Sequence, residues 1–404
     1  MRIAMVSEHA SPLAALGGAD AGGQNVHVAA LAEALAGLGH EVVVYTRRED
    51  PEQRYQVPLC DGVTVVHVRA GPPRPMAKDS LLPYMREMGE YLAAHWRGDP
   101  PDVVHTHFWM SALAALTGRH GCPSADFPIV HTYHALGSVK RRFQGPKDTS
   151  PPARIEIERS IGRQVDHIIA TCSDEARELA ALGIPASKVT VVPCGVDTAR
   201  FTPHGPVAER TSDRARLLAI GRLVERKGFD TAIAAIRAIP HAELLIAGGP
   251  PRERLHDDPE ARRLLDVARR HWVSDRVHLL GSVERPEMPA LIRSADLVVC
   301  TPWYEPFGIV PLEAAACGRP IVGSAVGGLL DTVVEGTTGI LLPPRRPRVL
   351  ARVTCELLTE APRREVYGRA ARARVLERYA WPRIAEQTLA AYRSVLSREV
   401  VTSP

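Results

Sequence analysis

Short β-branched runs alternate with alanine- and leucine-rich amphipathic segments along this chain, and that alternation constrains its fold more than any other feature. "RIAMVS" is followed by "NVHVAALAEALAGLG" and then "EVVVYT"; "PDVVHTH" precedes "SALAALTG" and "PIVHTYH"; "VDHIIATCS" leads through "DEARELAALG" to "KVTVVPCG". Strand, helix and strand again is the signature of a parallel sheet covered by helices on both faces. Around residues 195–214 the pattern breaks into "GVDTARFTPHGPVAERTSDR", rich in Pro, Gly and polar residues and read as a linker. A second series then starts with "ARLLAIG", "GFDTAIAAIRAI", "AELLIAGG" and "RVHLLGSV", and continues through "DLVVCTP", "GIVPLEAAACG" and "PIVGSAV".

Two doubly wound, Rossmann-like α/β domains facing each other across a cleft are therefore expected, spanning residues 1–200 and 201–380. Helices fill the rest, with a break at Trp381-Pro382. Ligands of such sheets sit beyond the carboxyl ends of the strands, so functional residues are sought just after strands.

Composition narrows the class. With 404 residues the chain is too long for one ordinary core and suits two domains. A net charge of +4 is too mild to argue for a nucleic-acid partner. Seven cysteines without a C-x-x-C pair fit a reducing cytoplasm better than a disulfide framework. "MRIAMVSEHA" reads as a first strand and not as a signal peptide, and no apolar stretch approaches the length of a membrane span. The arginine-rich stretch from Pro362 onward reads as a solvated face, with peripheral contact to anionic lipid as the alternative.

Three motifs follow strands. The first is "GGADAGGQNVHV", residues 17–28, a glycine-rich loop that opens a helix. Such a loop lets backbone amides approach an anion, or is a plain flexible turn. Its spacing is not G-x-G-x-x-G and "EVVVYTRRED" reaches Thr46-Arg47-Arg48 before any acidic residue, which disfavours a dinucleotide oxidoreductase. The second is "GRLVERKGFD", where Arg222 and Lys227 flank the turn into a helix. A cation is poorly placed at a helix N-terminus unless an anion neutralises it, and a fork plus a point charge suits a diphosphate. A solvated turn is the alternative.

The third motif is "YEPFGIVPLEAA", with Glu305 on a post-strand loop and Glu313 within the following helix, among apolar neighbours. Carboxylates accept hydrogen bonds well from vicinal hydroxyls, so a sugar or ribose is a natural partner. Glutamates bonded to backbone amides are the structural alternative.

With these motifs in this order the chain resembles the retaining glycosyltransferases of family 4, which have the GT-B fold. The likeness also rests on "VVHTHFW", "HTYHALG", "VVPCGVD", "ACGRPIVGSAVGG" and "EGTTGILLPP", and covers nearly the whole chain. The resemblance implies a nucleotide-diphosphate sugar donor, a UDP- or GDP-sugar, and a small sugar, sugar-phosphate or cyclitol acceptor. Arg222 and Lys227 match the pair on the diphosphate, Glu313 the glutamate on the ribose, and Glu305 the one on the transferred sugar. The backbone of Phe307, Gly308, Ile309 and Val310 lies beside Glu305 in the family. Gly22 and Gly23 match the loop over the phosphates, and His134 the histidine near the reaction centre. The last helix, 381–404, is expected to cross back to the first domain.

Two branches of the family compete for the acceptor. "GGQNVHV", "HTHFWMS" and "HALGSVK" resemble the inositol-phosphate glycosyltransferases; "DAGGQ", "HALG" and "RIEIE" resemble the sucrose-phosphate synthases. Lys78 and Arg154 match two of four phosphate-gripping residues, while Phe108 and Ala135 replace a tyrosine and a threonine. Asn25 completes the expected acceptor side. Lys140, Arg141, Arg142 and Lys147 form a rival anion site or a solvated cluster.

The pairs His105/His107 and His131/His134 lack an adjacent carboxylate or thiol that would complete a metal site, and the family needs no metal or other cofactor for its chemistry. His107 is expected to line the cleft and His105 to be structural. A nucleotide-sugar 2-epimerase of the same fold and a non-catalytic sugar-nucleotide binder are the competing functions.

Overall fold

The computed structural model describes residues 1–14, 22–123 and 126–402. They form two compact units, Met1–Pro193 with Trp381–Pro404, and Cys194–Ala380.

In the first unit the strands are β1 (Arg2–Val6), β2 (Glu41–Arg47), β3 (Gln56–Cys60), β4 (Val63–Val68), β5 (Val103–His107), β6 (Ile129–Thr132), β7 (His167–Ala170) and β8 (Val189–Val191). They lie side by side in the order β3-β4-β2-β1-β5-β6-β7-β8. Every pairing is parallel except that of β3 with β4. Central strands of a covered sheet are buried on both faces, and β5 obeys this even with two histidines in its five residues. Met88, Leu92, Trp96, Trp109 and Phe127 are among the side chains that fill the core under this sheet.

The second unit holds β9 (Ala215–Ile220), β10 (Ala242–Ala247), β11 (Val277–Gly281), β12 (Leu297–Cys300), β13 (Ile321–Ser324) and β14 (Gly339–Leu342). Their order is β11-β10-β9-β12-β13-β14, all parallel. Phe229, Ile233, Ile246 and Leu357 pack one face, and Phe201, Leu218, Ile292 and Leu312 the other.

Both sheets wind outward from their first strand in two directions, so the order reverses beside β1 in one and beside β9 in the other. Ile3 pairs with Val103 across the first reversal, and Leu218 with Val298 across the second. The helices that leave β1 and β5, or β9 and β12, diverge to opposite faces and open a crevice at the strand ends, where doubly wound sheets bind ligands.

The units part at residues 193/194 and not at 200/201, and the segment read as a linker packs on the second unit. Phe201 is fully buried there. Arg293 donates to the carbonyls of Thr202 and Pro206, and Arg372 to those of Thr198 and Phe201. Proline and glycine set the path of this segment, while one buried ring and two arginines hold it. The helix Trp381–Thr402 belongs to the first unit, packed on the helix Gly23–Gly37. His105 Nδ1 meets the Tyr392 hydroxyl at 2.7 Å, and His27 meets the Trp381 ring edge-on at 5.5 Å.

Candidate active site

In the second unit the chain leaves β9 at Gly221 and makes a turn that ends in one 3-10 turn, Glu225–Lys227, before the helix Phe229–Ile236. Gly228 sits in the left-handed region at φ 65°, and a Cβ there would run into the carbonyl oxygen of Thr301. That approach clamps the turn against the loop leaving β12, with Thr301 Oγ1 donating to the Gly228 carbonyl at 2.8 Å. The loop carries Glu305, whose own carbonyl accepts from Gly328 N–H at 2.7 Å. Gly327 at φ 49° is needed because a side chain there would collide with that carbonyl.

The clamp brings Lys227 Nζ to 2.5 Å from Glu305 Oε2. Arg226 Nη1 lies 3.8 Å from the same oxygen, its guanidinium over the Tyr304 ring. Burial works against the Glu305 charge, yet Lys227, Arg226 and the Phe307 amide outweigh it and hold the carboxyl below the usual carboxylate range. Burial likewise pulls Lys227 below the ordinary ammonium value, with Glu305 opposing. Arg222, five residues before Lys227, is exposed.

Glu313 lies in the helix Ile309–Ala316 that follows, 3% exposed. Gly308 caps this helix, so Ile309 and Val310 present first-turn amides without intrahelical acceptors. Glu313 is paired with Arg285, whose guanidinium stands 4.7 Å over the Phe201 ring. Burial pushes the Glu313 carboxyl up, and Arg285 pulls it back. Lys227, Glu305 and the Phe307 amide thus meet, and Glu313 follows in the helix that this loop leads into, paired with Arg285. Arg285 stands outside every motif, and Arg226, although inside "GRLVERKGFD", is overshadowed there by Arg222 and Lys227.

In the first unit the ends of β1, β5 and β6 form a second constellation. Phe108 follows β5 at φ 83° and His134 follows β6 at φ 62°. Such backbone is uncommon for a residue with a Cβ, and it occurs also at His241, Trp272 and Arg345. His134 Nε2 meets His107 Nδ1 at 2.9 Å, and burial keeps the His134 ring well below its ordinary pKa and uncharged at neutral pH. His27, beside it, is pushed down to about 4 by burial.

Around the Phe108 ring stand Lys78 Nζ at 5.3 Å and the Arg154 guanidinium carbon at 5.1 Å. Arg154 is heavily committed. It donates to Glu158 Oε1 at 2.7 Å, to Ser150 Oγ at 3.1 Å and to the Ala135 carbonyl at 2.5 Å. His9 meets the Phe108 ring edge-on at 4.9 Å, and its Nδ1 donates to Glu8 Oε1 at 2.7 Å. Glu8 is fully buried and also accepts from the Ser111 hydroxyl. Neither Glu8 nor His9 was singled out from the sequence. Their place directly after the first strand was the available signal.

Asn25, expected on the acceptor side, makes local bonds. It is the third residue of its helix, its Oδ1 accepts from Gly22 N–H at 3.0 Å and its Nδ2 donates to the Ser11 carbonyl at 3.0 Å, so it caps the helix and ties down the preceding loop. The Gly22 amide, expected over the phosphates, is held by that cap, and Gly23 begins the helix. Residues 17–21 of the glycine-rich loop lie outside the described residues. The rival anion cluster is largely ion-paired. Lys140 lies 3.0 Å from Asp148 and 3.7 Å from Asp79, Arg141 3.7 Å from Asp148, and Arg142 meets both oxygens of Glu178.

His105 is buried between Thr132 and Tyr392, a structural place. His107 is also wholly buried, at the end of β5. Among the described residues no group of three or more His, Cys, Asp or Glu could hold a metal ion, and no helix is long and apolar enough to cross a membrane.

A sequence profile for Glycosyltransferase Family 4 matches residues 21–200, and one for Glycosyl transferases group 1 matches residues 206–374. A D-inositol 3-phosphate glycosyltransferase 1 of Catenulispora acidiphila is 37% identical, covering 98% of this chain and 96% of that protein. The chain belongs to glycosyltransferase family 4. A D-inositol 3-phosphate glycosyltransferase of Kribbella flavida is 36% identical, covering 97% of this glycosyltransferase and 95% of its relative. The sucrose-phosphate synthase of Thermosynechococcus elongatus superposes with a TM-score of 0.89 at 31% identity, covering 98% and 99% of the two chains. HepE of Anabaena, solved with UDP and glucose, shares the fold at a TM-score of 0.73 and 18% identity, over 97% and 99%. The two parallel-sheet units are therefore those of a GT-B glycosyltransferase, and the enzyme is a hexosyltransferase.

Proposed function

We propose that this glycosyltransferase moves a hexosyl unit from a nucleoside diphosphate sugar to a small phosphorylated sugar or cyclitol, with retention at the anomeric carbon. The observation that carries the donor side is the contact of Lys227 with Glu305 on the clamped loops after β9 and β12, with Arg222 on the same turn. Arg222 and Lys227 take the diphosphate, the amides of residues 307–310 lie alongside it, Glu305 receives hydroxyls of the transferred sugar, and Glu313 the ribose. As the bond from the anomeric carbon to the phosphate oxygen breaks, negative charge grows on the leaving diphosphate, and the two cations and first-turn amides stabilise it.

The acceptor oxygen forms its bond on the face the diphosphate leaves. Its proton passes to a departing phosphate oxygen, so no enzyme nucleophile is required. Glu305, pinned between cations, is a poor proton donor, which separates it from the acid of a glycosidase pair. With charge neutralised by Arg222 and Lys227, the reading assigns a metal no part in the chemistry. His134, uncharged, stands by the reaction centre as a hydrogen-bonding group.

The acceptor phosphate is assigned to Lys78 beside Phe108, with Arg154 supporting the wall of the site. The relatives named as inositol 3-phosphate and sucrose-phosphate enzymes support a phosphorylated acceptor. His9, its Nδ1 committed to Glu8, turns its other nitrogen to acceptor hydroxyls. All seven cysteines are free thiols, which suits the cytoplasm, where nucleotide sugars are made. The test is a matrix of UDP-, GDP- and ADP-sugars against phosphorylated and unphosphorylated acceptors, read by mass spectrometry. A disaccharide-type product from a phosphorylated acceptor supports the reading; epimerised donor without an acceptor, or equal use of both acceptor types, overturns it.

A further inference from the structure

Glu305, Lys227 and Arg226 form a cluster with two cations around one carboxylate oxygen. Lys227 holds Glu305 Oε2 at 2.5 Å; Arg226 Nη1 waits 3.8 Å from it. That Nη1 is buried and has no hydrogen-bond partner. A buried charged donor left unbonded is costly, and such groups persist where a ligand or a rearrangement completes them. The Arg226 guanidinium lies over the Tyr304 ring, and the Arg226 backbone is fixed by its carbonyl, which accepts from Trp303 N–H at 2.8 Å.

Lys227 faces a conflict if it binds the donor. Its ammonium neutralises Glu305, whose side chain is only 11% exposed, yet the same ammonium is assigned to the diphosphate. Stripping the counter-ion from a buried carboxylate is strongly unfavourable. The guanidinium fork, with five N–H groups, has an arm to offer that carboxylate.

We propose that Arg226 is a positioning residue that takes over Glu305 Oε2 when Lys227 turns to the donor's diphosphate, so that the carboxylate keeps a partner throughout binding. This handover rests on the donor reading above. Arg226 acts through Glu305, and the phosphate itself is left to Lys227 and Arg222. No bond is made or broken in the step; one hydrogen bond of Glu305 is exchanged for another while both cations stay protonated.

The experiment is calorimetric titration of UDP, GDP and ADP into the whole enzyme, carrying forward the tightest of the three. It compares wild type, Arg226→Gln, Arg226→Lys, Glu305→Gln and the Arg226→Gln/Glu305→Gln double variant. Arg226→Gln should weaken the diphosphate about tenfold, the order of one charge-assisted hydrogen bond. In the Glu305→Gln background the same change should cost less than about threefold, because no carboxylate is left to re-pair, and Arg226→Lys should restore most of the affinity. An equal loss in both backgrounds means that Arg226 touches the phosphate directly and overturns the handover, as does wild-type affinity in Arg226→Gln. Should Arg226→Gln fail to fold, Arg226→Met, which keeps an apolar stem over Tyr304, takes its place in the same cycle. Lys227→Ala separates the two readings. Undiminished binding there removes the donor assignment itself, whereas weakened binding there with a Glu305-independent Arg226 effect removes only the handover. Failure of all three nucleotides to bind wild type removes both.

Discussion

Removing Arg285 should make donor binding depend on pH in a direction that the Glu313 site dictates. Glu313 is 3% exposed and its carboxylate is paired with Arg285. Burial already lifts its pKa, and Arg285 is the main force opposing that lift. In Arg285→Ala the carboxylate keeps its burial and loses its partner. Were it to stay ionised, the loss would be about 3 kcal/mol or more. It escapes by holding a proton, which moves its pKa further up. A protonated carboxyl is a weaker acceptor for two ribose hydroxyls, by about 1 kcal/mol per hydrogen bond. Donor KM should therefore rise between about tenfold and a hundredfold near neutral pH. It should recover as pH climbs through the raised pKa and the carboxylate re-forms.

Stability must move the opposite way. Between the unfolded carboxyl pKa and the raised folded one, the folded chain binds more protons, so unfolding free energy falls as pH rises. Glu313 therefore favours the fold at acid pH and disfavours it above its folded pKa. Arg285→Ala widens that window, and its melting temperature should drop more steeply with pH than that of wild type. Steady-state kinetics and thermal melts across the same buffers check both. A donor KM equal to wild type at every pH, or one that worsens as pH rises, would refute the reasoning.

Other changes give separate readouts. Arg222→Ala should abolish transfer with an unaltered melting temperature, since Arg222 is exposed; wild-type turnover would remove it from the diphosphate. Lys78→Ala should raise KM for a phosphorylated acceptor about tenfold and leave donor KM unchanged, consistent with loss of one charge-assisted contact. Arg154→Ala should instead destabilise the first unit by about 3 kcal/mol in a denaturant titration, because it strands fully buried Glu158. Gly228→Ala should lower both stability and donor affinity, since its Cβ collides with the Thr301 carbonyl and pushes the two donor loops apart. A variant as stable as wild type would show that these loops are not clamped as described.

The alternation of strands and helices, and with it the two-domain fold, was legible because most strands carry an apolar run and most crossovers an amphipathic segment, although β3 and β4 and the order of the strands were not read. Glu305 and Glu313 stood out as charges in apolar surroundings. Their partners did not. Arg285 reaches Glu313 from beyond the end of β11, and no local pattern in "GSVERPEMPA" signals a side chain aimed at a residue 28 positions later. Asn25 was ambiguous for a related reason. An amide three residues into a helix reads equally as a ligand group or as a cap, and only the position of Gly22 N–H decides. The segment after Cys194 misled because its Pro and Gly content reports backbone path, whereas its attachment depends on Arg293 and Arg372 far away in sequence.

The two units share a winding order but put different chemistry at the reversal. In the second, the reversal brings Lys227 against Glu305, charges drawn from two different loops. In the first, Glu8 and His9 are neighbours on one turn, and Phe108 and His134, both at positive φ, leave the next two strands. His107 and His134 are held neutral by burial, so on that side charge for an anion comes from Lys78 and Arg154, and Arg154 is already bonded to Glu158, Ser150 and Ala135. On the proposed function, recognition of an acceptor phosphate therefore leans on Lys78. An enzyme so built should lose phosphate selectivity sharply when Lys78 is neutralised. It should lose little when Arg141, whose carboxylate partner is Asp148, is changed. If Arg141→Ala matched Lys78→Ala in raising KM for the phosphorylated acceptor, the phosphate would have to sit at the rival cluster instead.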